Sequence, residues 1–262
     1  MEDWKQNPVL LRERIRKGQW RRSTAGLCAG FVQANLVILP KEFAFDFTLF
    51  CLRNPRPCPI LEILEAGDPI VRETARNADV RTDLPGYRVF QNGELTEEVV
   101  DITQYWRDDL VTYLIGCSYT FEEALVRGGV PIRNYIQGKD PAIYISNIRC
   151  RPAGVFSGPM VVTMRPIPSH LVSRAVQITS LFPRTHGAPV HIGDGKGIGI
   201  PDLAKVDFGE IPIIEEGEIP VFWGCGVTPQ MVALESKIPF MITHKPGHMF
   251  VGDLRIEEVA IT

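Results

Sequence analysis

No stretch of this 262-residue chain holds the roughly 18 consecutive apolar residues that mark a membrane-spanning helix, so no membrane partner is expected. Charge of one sign is not in excess either. There are 28 Lys and Arg against 31 Asp and Glu, a net charge of -3, and the pI is near 6.0. That balance gives a polyanion nothing to bind, which argues against nucleic acid as a partner. Cysteine is scarce, with six in the whole chain. That is too few for a disulfide scaffold, the spacings fit no common zinc motif, and Cys51 and Cys58 are too far apart for a CxxC redox pair. Residues 1–22 join a short apolar piece to a run of charge, unlike a secretory signal. Reduced thiols in a cytoplasmic protein are therefore expected. Low-complexity tracts are also missing.

What is present is a hydrophobic content of 45% with 23 Gly and 21 Pro, enough for a substantial core and more turns than a helical bundle uses. Two turns stand out. In Thr112–Gly128, TYLIGCSYTFEEALVRG, an apolar run enters Gly116, Cys117 and Ser118, and a helical pattern leaves them. In Ile219–Ser236, IPVFWGCGVTPQMVALES, the same order returns with Gly224, Cys225 and Gly226. There Thr228 reads as the N-cap and Pro229 as the first helical residue. A helix start offers unpaired N–H donors and partial positive charge, so each junction can hold a carboxylate. Together they read as two halves of one pocket. The plainer alternative is two ordinary strand-to-helix turns with cysteines buried as small hydrophobes.

Other polar residues are candidates because of their company. Gln33 and Asn35 sit among apolar neighbours, where a buried amide must find partners; they either tie down a loop or touch substrate. Asp46 is a reserve acid. Glu122 lies in the first turn after Cys117 and Ser118, as an acid or as a helix-dipole partner. Arg165 has the planar guanidinium that grips a carboxylate with two hydrogen bonds. Four of the five histidines, His186, His191, His244 and His248, lie in two Gly/Pro-rich turns, where imidazole suits acid–base work near neutral pH. With Cys225 they could also ligate a metal, but no spacing matches a metal motif. No cofactor is assigned, and a metal stays open.

The element pattern points to an α/β protein. A main mixed-sheet domain is expected from 1–124 and 186–262, with a smaller α+β domain inserted at 125–185. A small-residue helix is expected from Ser23 to near Asn35, a helix start at Trp106–Asp109, a strand at 130–133, and a strand from Met160 that ends in Arg165–Pro168.

Seven ordered strings, QANLVILPKEFAFDF, FCLRNPRPCP, DDLVTYLIGCSYTFEEAL, GVFSGPMVVTMRPI, THGAPVHIGD, VFWGCGVTPQ and THKPGHMFVGD, resemble the D-glutamate cyclase family. They cover the chain from about Arg14 to Asp253. The resemblance implies a two-domain α/β fold particular to the family. It also implies a hydro-lyase acting on a small carboxylic or amino acid. A mitochondrial member closes D-glutamate to 5-oxo-D-proline with loss of water, whereas bacterial members carry a hydro-lyase label without a substrate.

Either reaction needs the same parts. A carboxylate must be anchored, a base must take a proton, and an acid must expel hydroxide as water. The first junction is the expected oxyanion or carboxylate pocket, and the second holds the other end of a small carboxylate-bearing substrate. Gln33 and Asn35 orient it, and the histidines with Glu122 move protons. Two alternatives stay open: a small-carboxylate binding protein without turnover, and an acyl-transfer enzyme using Cys117 or Cys225 as thiolate. A homodimer is the ordinary expectation for such a chain.

Overall fold

The computed structural model describes residues 3–261. The first helix, α1 (Pro8–Arg16), starts as its sequence directs. The Asn7 side chain accepts from the N–H groups of Val9 and Leu10, and Pro8 sits where its missing N–H leaves nothing unpaired. Then come β1 (Phe31–Pro40), α2 (Lys41–Arg53), β2 (Ile60–Leu64), β3 (Ile70–Val71), β4 (Ala78–Asp79) and β5 (Tyr87–Gln91). A hairpin joins β5 to β6 (Glu94–Val99); its turn residues Asn92 and Gly93 have φ of 50° and 80°, the left-handed pair that a two-residue turn needs. The middle of the chain forms β7 (Leu110–Gly116), α3 (Tyr119–Arg127), α4 (Arg133–Gln137), β8 (Ala142–Arg149), β9 (Pro159–Pro168) and α5 (Val172–Ser180). The last third forms β10 (His191–Ile192), β11 (Glu218–Gly224), α6 (Thr228–Ser236), β12 (Phe240–His244) and β13 (Phe250–Arg255). No helix among the described residues is long and apolar enough to cross a membrane.

A seven-stranded sheet runs β2-β7-β1-β12-β5-β6, with β13 also paired to β1, and a four-stranded sheet runs β10-β11-β9-β8. The α/β character is as expected, but the mixed sheet is not: every pairing within these sheets is antiparallel. The reason is an insertion. Strands β1 and β2, joined through α2, point the same way, yet β7 lies between them and runs against both. The four-stranded sheet takes β8 and β9 from the 125–185 stretch and β10 and β11 from the segment after it, with β9 paired to β11 from Glu218↔Pro168 to Gly224↔Val162.

Three local expectations are corrected. Residues 24–30 form turns, and the apolar run that follows is β1, so Gln33 and Asn35 sit on a strand. Short apolar runs do not declare their period, and a strand buried on both faces reads like a buried helix. Residues 106–109 form a turn into β7, and 130–133 leads into the short helix α4. The strand expected to end in Arg165–Pro168 is β9, which runs through Pro168. Pro166 stands opposite Pro220, which is tolerable because alternate antiparallel pairs exchange no hydrogen bonds.

Strand alternation sets two cores, each drawing on both sheets. Ala34, Leu36 and Ile38 of β1 pack with Phe121, Leu125, Ile167 and Trp223. Val37 and Leu39 pack on the other side with Phe47, Val162, Met164 and Phe222. Both glycine–cysteine junctions bridge the sheets. The chain leaves β7 through α3 and reaches β8 in the second sheet; it leaves β11 through α6 and returns to β12 in the first.

Candidate active site

Asn35 interrupts the apolar stripe of Val37 and Leu39 on the central strand β1. One edge of β1 is also open there. Val37 pairs with Thr243 of β12 and Ala34 with Phe250 of β13, so the five residues from 245 to 249 leave the sheet opposite Asn35 and Leu36. The imidazole of His244 stands in that opening, where Leu36 N–H donates to Nδ1 at 3.3 Å. A side chain thus takes the bond that a strand would have made.

Three glycines bring the two junctions onto this point. A Cβ on Gly226 would lie 2.0 Å from Asn35 Cγ, one on Gly116 would lie 1.9 Å from the Arg184 carbonyl oxygen, and one on Gly224 would lie 2.7 Å from the Arg56 carbonyl oxygen. Real Cβ contacts never come so close, so each position requires glycine. Asn35 Nδ2 donates to the carbonyls of Ile115 and Gly116 at 3.2 and 2.8 Å, tying β1 to the end of β7. The carbonyl of Arg56, admitted by Gly224, accepts from His186 Nδ1 at 2.6 Å. A carbonyl only accepts, so Nδ1 carries the proton and Nε2 keeps its lone pair.

Beside the first junction lies a buried ion pair. Arg165 Nη2 is 2.6 Å from Glu122 Oε1, with both side chains 1% exposed. Arg165 Nε donates to the same oxygen at 2.7 Å, and Nη2 donates to Ser118 Oγ at 3.0 Å. Asn134 Nδ2 adds a third donor group to Oε1 at 2.9 Å. The guanidinium also lies over the rings of Phe121 and Trp223. Every partner of Glu122 is therefore on Oε1; Oε2 is buried with none. His244 Nε2 is likewise buried without a partner. Such atoms are costly unless something else fills them. Glu122 is thus the counter-ion of Arg165 in place of a helix cap, and Arg165 holds an internal carboxylate.

Burial sets the protonation states. It pulls the His186 pKa down to about 4, helped by the nearby Arg165 charge, and that of His244 down to about 3, helped by His248 and Arg88. Both imidazoles are neutral at ordinary pH. Burial pushes the Cys225 thiol up to about 11 and raises Cys117 further, outweighing a backbone N–H donor near each sulfur.

The structure thus brings together Asn35, Gly116, Cys117, Ser118, Glu122, Arg165, His186, Gly224, Cys225 and Gly226, with His244 in the sheet opening. Thr228 borders them differently than expected. Val227 is the N-cap of α6, and the Thr228 hydroxyl donates to the Cys225 carbonyl at 2.7 Å and accepts from Val161 N–H at 3.0 Å. Gln33 is fully engaged, accepting from Thr24 Oγ1 and donating to the carbonyls of Thr24 and Leu27, so it fastens the preceding loop. Asp46 stands apart on α2, its carboxylate against Gly154. His191 and His248 are half-buried, and their ring nitrogens bond the nearby carbonyls of Asp194 and Pro246. Among the described residues no three His, Cys, Asp or Glu side chains form a metal-ligand cluster.

Sequence reasoning missed three contributors. Asn134 reaches Glu122, Arg56 fixes His186 through a backbone carbonyl, and Tyr119 donates to Asp140 Oδ1 at 2.6 Å. Only Tyr119 carried a signal, two residues after Cys117. A carbonyl contact from Arg56 leaves no trace in residue type.

Two antiparallel sheets that exchange helices through paired glycine–cysteine junctions, around an enclosed polar cluster, define the class: an α/β protein with a buried candidate site. A family model described as D-glutamate cyclase matches residues 111–253, which spans β7 to β13 and both junctions. The chain belongs to this family. A relative from Stutzerimonas stutzeri strain A1501, named "Putative hydro-lyase", is 55% identical over 97% of this chain and 96% of its own. One of the same description from Thermoanaerobacter pseudethanolicus is 56% identical over 97% and 96%, and one from Bacillus subtilis strain 168 is 53% identical over 97% and 99%. A solved nitrogen repressor-like protein from Methanococcus jannaschii aligns over 88% of this chain and 87% of its own, at 12% identity and a TM-score of 0.42, a likeness too slight to bear on fold or function.

Proposed function

We propose that the protein is a hydro-lyase that closes D-glutamate to 5-oxo-D-proline, releasing water, at the cluster around Asn35. The observation that carries this reading is the pair of buried, unpartnered atoms, Glu122 Oε2 and His244 Nε2, beside the point where both junctions meet. The family supplies the class of reaction. In the cyclisation the α-amine attacks the γ-carboxyl carbon, a C–N bond forms, and the C–O bond breaks with hydroxide leaving as water. A γ-carboxylate is a poor electrophile until it is protonated or held by donors.

The two buried histidines supply opposite needs. His244 Nδ1 faces both the Leu36 N–H at 3.3 Å and the Leu36 carbonyl at 3.5 Å; in the tautomer that accepts from the N–H, Nε2 carries the proton and is a neutral donor for the carboxyl oxygen that departs. His186 has the reverse tautomer, and its Nε2 is the acceptor for a proton from the amine. Glu122, fixed on one oxygen by Arg165 and Asn134, offers its other oxygen to a substrate donor. Arg165 supports the site chiefly through Glu122 and Ser118. A cysteine nucleophile finds no support, because a thiol raised to about 11 or beyond is protonated at neutral pH.

The test is direct. Purified protein is incubated with D-glutamate, and 5-oxo-D-proline is followed by chiral chromatography beside L-glutamate and a Glu122→Gln variant. Product from the D isomer alone, reduced at least about a hundredfold in the variant, supports the reading. Folded wild-type protein giving no product with or without added divalent metal would refute it.

A further inference from the structure

Asp140 lies just past α4, outside the cluster described above, and its surroundings are unusual for a carboxylate. Its Oδ1 accepts from Ser23 Oγ and from Tyr119 Oη, both at 2.6 Å. Two short hydroxyl donors on one oxygen fix the orientation of the carboxylate. Yet Asp140 has no ion-pair partner among the described residues. The cations around it are engaged elsewhere: Lys139 with Glu210, and Arg133 with Glu215 and Glu218.

The position of Asp140 ties it to the candidate site. Tyr119 opens α3 one residue after Ser118, and its ring packs with Cys117 and Met249. Gly247, in the loop that leaves the sheet opening, has φ of 78°, and a Cβ there would lie 2.5 Å from Asp140 Oδ2. Three segments therefore close on this one carboxylate. Asp140 also lines a cavity of about 60 Å³ together with Asn134, whose amide holds Glu122. That volume admits a head group of a few atoms. Arg133 and Lys139 border the same cavity, but each already has its carboxylates.

We infer that Asp140 is the anchor for a substrate's primary ammonium group, so that the site selects amino acids over their deaminated analogues. The inference rests on the cyclase reading for the location of the substrate; the ammonium held at Asp140 must then give a proton to His186 Nε2 before the neutral amine can attack. An ammonium group presents three donors and a full charge. A carboxylate with Oδ1 fixed by two hydroxyls and no resident cation is its complement. A dicarboxylate without the amine gains nothing from it and meets like charge.

The experiment is calorimetric titration of the full chain with D-glutamate and with glutarate, which lacks the amine, on wild type and on Asp140→Asn. The asparagine keeps an acceptor for Ser23 and Tyr119 and removes the charge. Wild type is expected to bind D-glutamate at least about tenfold more tightly than glutarate. Asp140→Asn is expected to lose about that factor for D-glutamate while holding glutarate within about twofold. Unchanged D-glutamate binding in Asp140→Asn overturns the inference. If that variant does not fold, the wild-type comparison decides alone, and equal or tighter binding of glutarate overturns it. The two readings fail separately. Selective binding of D-glutamate without 5-oxo-D-proline leaves the anchor standing and removes the cyclase reading, whereas turnover without selectivity does the reverse. Absence of binding by either ligand removes both.

Discussion

The side-chain amide of Asn35 fills the space that a Cβ on Gly226 would need, the two being only 2.0 Å apart at Asn35 Cγ. The first sheet and the second junction meet at this contact. Gly226 has no positive φ, so the requirement for glycine is steric and does not come from the backbone. Gly226→Ala is expected to cost about 2 kcal/mol or more by overpacking. Asn35→Ala loses two buried hydrogen bonds, but it also clears the volume. The double variant should therefore be more stable than the sum of the single losses predicts. Urea melts of the four proteins measure this, and simple additivity would show that the two residues do not share the space.

The Arg165–Glu122 pair gives a second coupled expectation. Arg165→Met leaves a carboxylate buried beside Ser118 with only Asn134 as donor, and breaking a buried pair from one side costs about 3–5 kcal/mol. Removing both charges with Arg165→Met and Glu122→Leu should recover much of that loss, because the rings of Phe121 and Trp223 already provide an apolar lining. Denaturant unfolding of the single and double variants checks it. A double variant less stable than Arg165→Met would mean that Glu122 stabilises the fold through something other than Arg165.

Much of this site was legible in the residues. The two glycine–cysteine junctions were visible as apolar runs that end in Gly and restart with helical period, and the structure brings both to Asn35. What the sequence hid was everything set by long-range register. The opening between β12 and β13 depends on where each strand pairs with β1, and no local pattern encodes it. The four loop histidines looked alike because their difference lies in burial and in carbonyl partners from distant turns. The antiparallel sheet escaped for a similar reason: the β1–α2–β2 unit looks like a parallel crossover until β7, some fifty residues later, fills the gap.

Stability should fall in mild acid because of His186 and His244. Their folded pKa values are about 4 and about 3, against 6.5 for the free side chain. Between those limits the unfolded chain takes up protons that the folded chain refuses. The contribution is thus complete above pH 6.5 and is lost as the pH falls toward 4. For His186 the loss is on the order of 3 kcal/mol. Chemical denaturation at pH 7 and pH 4.5 should show the drop in wild type and a smaller one in His186→Gln. An identical drop in both proteins would remove His186 as the cause.

Neither cysteine at the junctions should be needed for turnover. Both thiols are buried and held protonated, so Cys117→Ala and Cys225→Ala should keep product formation within about fivefold of wild type, a packing effect only. A loss beyond about a hundredfold in a folded variant would restore the thiolate mechanism.

The strongest separation is expected among the histidines. His191 and His248 are half-buried, and their ring nitrogens close local turns; substitution by Gln at either should change 5-oxo-D-proline formation by less than about twofold. His244 is different. Its Nδ1 meets the backbone of Leu36 in the sheet opening and its Nε2 has no partner, so Nε2 is available only to a ligand. His244→Gln should lower kcat by about a hundredfold or more, the range that a positioned proton donor contributes. Packing must be kept apart from chemistry here, because a buried ring is being replaced. His244→Asn, whose amide can mimic Nδ1, should regain stability and the binding of D-glutamate without regaining kcat. If His244→Asn turns over like wild type, the ring serves only to plug the sheet, and His244 is not the proton donor.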